Sequence, residues 1–180
     1  MPENIDSVDL NYTLGLGLSR GIIKSLISTY LEQCKEYDLL LKEYHTKQKW
    51  HELAGIAHKA KGSVSYFGLN KLTKTLKKIQ LISEAFAFIE LDEMKYSQKE
   101  LSDPQISIYN KLQSQVLIRH EFKDDSEKKQ FQPGEFEFLL QCVELFRKDK
   151  SHIQLSLLVE ESLKMITQSV IEINIQKLQL

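Results

Sequence analysis

Between Pro2 and Pro104 the chain contains no proline, so about a hundred residues lack the one side chain that breaks a helix from within. Inside that stretch, apolar residues recur at alternating steps of four and three. Over Ser19–Tyr44 they are Ile23, Ile27, Tyr30, Cys34, Tyr37, Leu41 and Tyr44, which is one face of a helix that Ser19 is placed to cap. After the polar break His45–Lys49, a second stripe starts at Trp50 and runs through Leu53, Ala57, Ala60, Val64 and Phe67. Gly68 is expected to end that helix in the left-handed conformation, which glycine adopts cheaply. A third helix, with Asn70 as its expected cap, carries Leu72, Leu76, Ile79 and Phe86 to about Glu90. Three amphipathic helices with short connections predict an all-α antiparallel four-helix bundle that lacks only its fourth member.

Beyond Leu91 the pattern weakens. Met94–Pro104 is expected as loop, Ile106–Phe122 as a helix, Lys123–Gln132 as exposed chain and Pro133-Gly134 as a turn. Phe136, Leu139, Leu140, Val143 and Phe146 mark a short helix, and Ser151–Leu178 a long one with Leu155, Val159, Ile166, Val170 and Ile173 as its stripe. That last helix, similar in length to the first, is the expected fourth member, with Ile106–Phe122 as its rival. The organisation expected is a single domain over 1–180, with 92–150 as a connecting segment carrying short helices and 151–178 closing the bundle.

An apolar content of 42 % is enough for a packed core, and a net charge of −1 argues against a generally basic nucleic-acid binder. No run approaches the ~20 apolar residues of a membrane span, and no secretory leader is recognisable. The two cysteines, Cys34 and Cys142, make neither a disulfide framework nor a zinc site. These bounds predict a soluble cytoplasmic protein, nuclear as well in a eukaryote. The charge is uneven: Glu3, Asp6 and Asp9 stand without basic partners in the first residues. His45–Ser83 holds Lys47, Lys49, Lys59, Lys61, Lys71, Lys74, Lys77 and Lys78 against Glu52 alone. Such a cluster is either a solvated lysine face or a local field for an anionic partner.

The second helix has an unusual outer face. At about 100° per residue, His58 lies roughly 130° from the centre of the apolar stripe and so points to solvent. Its neighbours there are Ala54, Gly55, Lys61, Gly62 and Ser65, small apart from the lysine. Two glycines inside a helix cost about 1 kcal/mol each. They either let another helix pack closely or leave one imidazole bare to a large partner.

The stretch Ala57-His58-Lys59-Ala60-Lys61-Gly62-Ser63-Val64-Ser65-Tyr66-Phe67-Gly68-Leu69 resembles the signature of histidine-phosphotransfer (HPt) domains, His58-x-x-Lys61-Gly62 followed by small residues and a helix-ending glycine. It continues through Leu72, Leu76 and Ile79-Gln80, and Ser19-Arg20-Gly21-Ile22-Ile23 and Trp50 also resemble the family pattern. The resemblance covers residues 15–91, about two-fifths of the chain. In length and in the late long helix the chain is most similar to the free-standing yeast-type phosphorelay intermediates.

The resemblance implies a phosphorelay protein of two-component signal transduction. It would accept a phosphoryl group on His58 from the aspartyl phosphate of one receiver domain and donate it to another. A histidine's ordinary pKa of about 6.5 leaves a large neutral fraction at pH 7, hence a free lone pair. Lys61, one turn on, would neutralise phosphoryl oxygens. Gly62, with Gly55, would make room for the receiver's loops. Gln80 matches the position at which family members hydrogen-bond the ring nitrogen that is not phosphorylated, unless it is an ordinary exposed glutamine. Ser63 and Ser65 would donate to the phosphoryl group or simply be small. Docking is expected on Leu14, Leu18, Ile22 and Leu26.

No cofactor is expected on this chain, since Mg²⁺ would sit in the receiver. Partners would be response-regulator receivers, including that of a hybrid histidine kinase, with neither nucleic acid nor membrane involved and the chain a free-standing monomer. Neither a nucleotide-binding phosphate loop nor a kinase motif set occurs, so the chain would act as a stoichiometric carrier without ATP-dependent kinase activity. The alternative is a helical adaptor that binds receiver-like partners without transfer. A metal–carboxylate bundle would need inward Glu-x-x-His pairs, and Asp149-x-x-His152 stands alone. His51 and His58 lie about 10.5 Å apart along a helix, too far to share an ion. His45, His120 and His152 are expected as ordinary surface or loop histidines.

Overall fold

The computed structural model describes residues 7–177. Glu3 and Asp6 of the acidic start, and Leu178, lie outside them. Among the described residues the regular structure is helical: α1 (Leu10–Gly15), α2 (Arg20–Thr46), α3 (Trp50–Ser65), α4 (Asn70–Tyr96), α5 (Asp103–Leu112), α6 (Val116–Arg119), α7 (Asp125–Lys128), α8 (Glu135–Asp149) and α9 (Ile153–Lys177). Each of the four long helices packs on two others, α2 and α4 each on α3 and α9.

Local chemistry sets several boundaries. Ser19 is extended and its Oγ accepts the Ile22 N–H at 3.4 Å, opening α2 as its cap. Gly68 has φ +68°, a left-handed conformation that favours glycine, while a Cβ there would only reach contact distance of Asp9 Cβ, 3.4 Å, so it is the conformation that calls for glycine. Asn70 does not cap. It is the first residue of α4, with Leu69 at the cap position, because Leu69 is drawn into the core. α4 runs to Tyr96, into the expected loop, because Leu91 is buried and Met94 packs on the core at the helical spacing. The expected Ile106–Phe122 helix is two pieces, α5 and α6. Ser102 and Gln105 form a capping box ahead of α5, with Pro104 in the first turn. Residues 113–115 break the run so that Val116 and Leu117 can be buried.

The predicted stripes of α2, α3 and α4 form one core with those of α8 and α9. At one end Trp50, 2 % exposed, meets Phe86 and Phe146 edge-on, with centroids at 5.4 and 5.8 Å, and donates Nε1–H to Glu90 Oε1 at 2.9 Å. Burying one such aromatic is worth about 1.5–3 kcal/mol, and each well-placed pair about 0.5–1.5 more. His45 is not a loop histidine: half-buried here, it stands 5.6 Å from the His152 ring and Nε2 pairs with Ser156 Oγ at 3.0 Å. Toward the other end Tyr30 hydroxyl and Ser169 Oγ bond at 2.7 Å, so α2 and α9 run antiparallel. The connecting segment lies along α4, through α5, α6 and α8. Cys34 and Cys142 are both free and buried, and no helix among the described residues is long and apolar enough to cross a membrane.

Candidate functional site

The exposed residues of α3 form their own stripe, His51, Gly55, His58, Gly62 and Ser65, opposite the buried one. Ala54, expected on that face, is 4 % exposed and belongs to the core, because the buried arc of α3 is wider than a four–three stripe and takes in Ile56 as well. His58 faces solvent as expected. A Cβ built on Gly55 or Gly62 would meet nothing within 4 Å. Close helix packing is therefore not what these glycines serve, and the surface beside the imidazole is bare.

The ring is held from α4. His58 Nδ1 lies 3.2 Å from Gln80 Oε1, and Lys61 Nζ donates to the same oxygen at 3.0 Å. The Gln80 amide donates Nε2–H to Glu84 Oε1 at 3.0 Å. An ammonium only donates and a carboxylate only accepts, so these two partners fix which end of the amide is oxygen. A carbonyl oxygen only accepts, hence Nδ1 carries the proton and, in the neutral ring, Nε2 keeps the lone pair. Gln80 is half-buried and fully engaged, not an idle surface glutamine.

Both serines have other partners. Ser63 faces α2, where its Oγ bonds Tyr37 hydroxyl at 2.7 Å and Gln33 Oε1 at 2.9 Å. Ser65 Oγ donates back to Gly62 O at 2.7 Å. Burial pushes the Tyr37 hydroxyl pKa up, so it remains a proton-bearing partner to this cluster.

Much of the lysine cluster is neutralised across helices. Lys59 meets Glu36 at 3.1 Å, Lys71 meets Glu161 at 2.9 Å and Lys78 meets Glu135 at 3.3 Å, while Lys47 pairs within the end of α2, with Glu43 at 2.8 Å. Lys61 and Lys77 have amide partners instead, with no carboxylate within 4 Å among the described residues. Lys77 lies one turn before Gln80 and is half-buried under the connecting segment. Its Nζ donates to Gln130 Oε1 at 2.9 Å and stands 5.2 Å from the Phe131 ring centre. Burial, then the charge of Lys61, pushes its pKa down. The positive field that survives pairing thus includes the Lys61 ammonium beside His58.

An open groove between α2 and α3 joins Gly62 and Tyr66 to Leu26. Leu14 and Ile22 are exposed, at 38 % and 50 %. Leu18 and Leu26 are half-buried against the core. Leu14 lines a separate small hollow with Arg20, Ile23 and Lys24. Sequence reasoning missed Tyr66, exposed at the end of α3, and Glu84, whose only signal was its place four residues after Gln80. Among the described residues no group of three or more His, Cys, Asp or Glu side chains is arranged to hold a metal ion. Models of known families, curated proteins and solved structures were all compared with the chain, and none matches.

Proposed function

We propose that the chain is a histidine phosphotransfer protein, a relay intermediate that carries a phosphoryl group on His58 between the aspartates of two receiver domains. The observation that carries the proposal is the His58 ring itself. It is exposed between two unfilled glycine positions, with Nδ1 held by Gln80 and Nε2 facing outward.

The chemistry follows from that arrangement. The Nε2 lone pair attacks the phosphorus of an aspartyl phosphate, the P–O bond to the carboxyl breaks and its electron pair stays on the departing carboxylate. The ring retains its Nδ1 proton and becomes a phosphoryl-imidazolium, whose positive charge is met by Gln80 Oε1. In the return step a second aspartate carboxylate attacks phosphorus and the P–N electron pair goes back to Nε2. Lys61 supplies a fixed cation beside the transferring oxygens. The Gly55 and Gly62 positions admit the partner's backbone, and the Leu14, Leu18, Ile22 and Leu26 surface gives a transient apolar contact.

On this proposal α2, α3, α4 and α9 are the four members of an HPt bundle, α9 is the fourth, and 1–180 is one domain. The chain acts as a cytoplasmic monomer with receiver domains as its partners. Phosphotransfer from a labelled, phosphorylated receiver to the wild type and to His58→Gln tests it. Label on the wild type alone is expected. Equal labelling of both refutes the assignment, and tight receiver binding with no label favours an adaptor.

A further inference from the structure

We infer, building on the phosphotransfer reading of His58, that Glu84 is a positioning residue that holds the nucleophile in its reactive tautomer through the Gln80 carboxamide. Glu84 touches neither the ring nor any transferring atom. It acts on the amide that touches the ring.

Gln80 is bound at both ends. Its oxygen receives the His58 ring at 3.2 Å and the Lys61 ammonium at 3.0 Å, and its nitrogen donates to Glu84 Oε1 at 3.0 Å. Rotating the amide by half a turn would set its NH₂ against an ammonium and its oxygen against a carboxylate, two repulsive contacts created by one flip. The flipped amide would also offer a donor to Nδ1, which stabilises the ring with its proton on Nε2 and no lone pair where phosphorus must be attacked. Glu84 and Lys61 therefore exclude the inert tautomer from opposite ends of one side chain. Since Gln80 and Glu84 are four apart on α4, the spacing is set by a single helical turn.

A second observation points the same way. Glu84 Oε2 is buried and has no hydrogen-bond partner among the described residues. An unsatisfied buried carboxylate oxygen is costly and calls for an explanation. The other oxygen of the same group, Oε1, accepts from the Gln80 amide at 3.0 Å, so the hydrogen bonding this buried group has is directed at the amide that orients His58, whose oxygen it polarises toward the ring. The polarised oxygen is a better acceptor when the ring becomes cationic on phosphorylation.

The test uses the full chain, Glu84→Met, which keeps an unbranched side chain of similar length, and Glu84→Gln, which keeps an acceptor. Nitrogen NMR of His58 above its titration range reads the tautomer, and the rate of labelling by phosphoramidate reads nucleophilicity without any docking partner. The wild type should show Nδ1–H with Nε2 unprotonated. Glu84→Met should show a measurable Nε2–H share and a labelling rate lower by roughly three- to tenfold, the scale of one hydrogen bond. Glu84→Gln should restore most of both. Nε2–H in the wild type overturns the inference even where Glu84→Met fails to fold. So does an unchanged tautomer and rate in a folded Glu84→Met. Absence of any label on wild-type His58, from phosphoramidate and from phosphorylated receivers alike, sinks the phosphotransfer reading and the inference with it. Labelling that is insensitive to Glu84 sinks the inference alone.

Discussion

Gln80 Oε1 lies 3.2 Å from His58 Nδ1, across the seam between α4 and α3. An exposed imidazole on an isolated helix would exchange tautomers freely; this one has a fixed acceptor on a neighbouring helix whose own residues are buried on either side, Ile79 and Ile82 among them. The ring's orientation is thus set by core packing, although the ring itself is in solvent.

Replacing that acceptor should show its worth. Gln80→Leu removes the partner of both His58 and Lys61, and labelling of His58 by phosphoramidate should slow by about tenfold, within the range seen when an orienting partner of a functional histidine is lost. A labelling rate within twofold of the wild type would remove Gln80 from the mechanism.

The bare glycines should trade stability against access. Gly55→Ala and Gly62→Ala add a Cβ where nothing lies within 4 Å. Each should raise stability by about 0.5–1 kcal/mol, or roughly 1–4 °C in melting temperature. Gly62→Gln should leave phosphoramidate labelling within about twofold while slowing transfer from a receiver by tenfold or more, the cost of a side chain standing where a partner must close. Receiver transfer at the wild-type rate would show that the open surface has no such role.

Docking should be separable from folding. Leu14→Asp and Ile22→Asp change side chains that are 38 % and 50 % exposed. Their melting temperatures should stay within about 2 °C of the wild type, since surface substitutions fall within ±0.5 kcal/mol. Affinity for a receiver, followed by titration calorimetry, should fall about tenfold for at least one of them. Unchanged affinity in both would move the contact elsewhere.

The pair at the far end of the molecule predicts a pH effect. Burial, then the like charge of His152, holds the His45 pKa below its ordinary 6.5, with Glu160 opposing. The unfolded chain therefore binds this proton more readily than the folded one. The contribution is fully present above pH 6.5 and is lost as pH falls through the lowered folded value. The urea midpoint should drop between pH 7.5 and 5.5, and drop less in His45→Gln. Glu90, whose carboxyl is pushed up by burial, works in the opposite sense, so the comparison is made between the two proteins and not between the two pH values. Equal drops would clear His45.

What could be seen in the amino-acid order was whatever depends on near neighbours. The four–three stripes, the Ser19 cap and the Gly68 conformation are each set within one or two turns, and they stand as expected. So does the outward direction of His58, because helical phase alone sets it. What could not be seen depends on distant partners. Asn70 loses the cap position to Leu69 because the core draws the leucine in. Residues 106–122 break because Val116 and Leu117 have a place against α4 and α8. His45 is half-buried only because α9 brings His152 and Ser156 beside it. In the candidate site, Ser63 turned out to belong to Tyr37 and Gln33, since facing α2 is a matter of which helix packs where. Glu84 went unnoticed because a glutamate in a lysine-rich helix reads as one more surface charge.

The first helix is fastened to the place where α3 stops: the Asp9 N–H donates to Phe67 O at 3.1 Å and Thr13 Oγ1 to Tyr66 O at 2.7 Å. Trimming the chain to begin at Arg20 would thus strip two hydrogen bonds from the turn after Ser65. A shortened version would misreport the intact molecule by loosening, from behind, the very rod on which the imidazole is mounted.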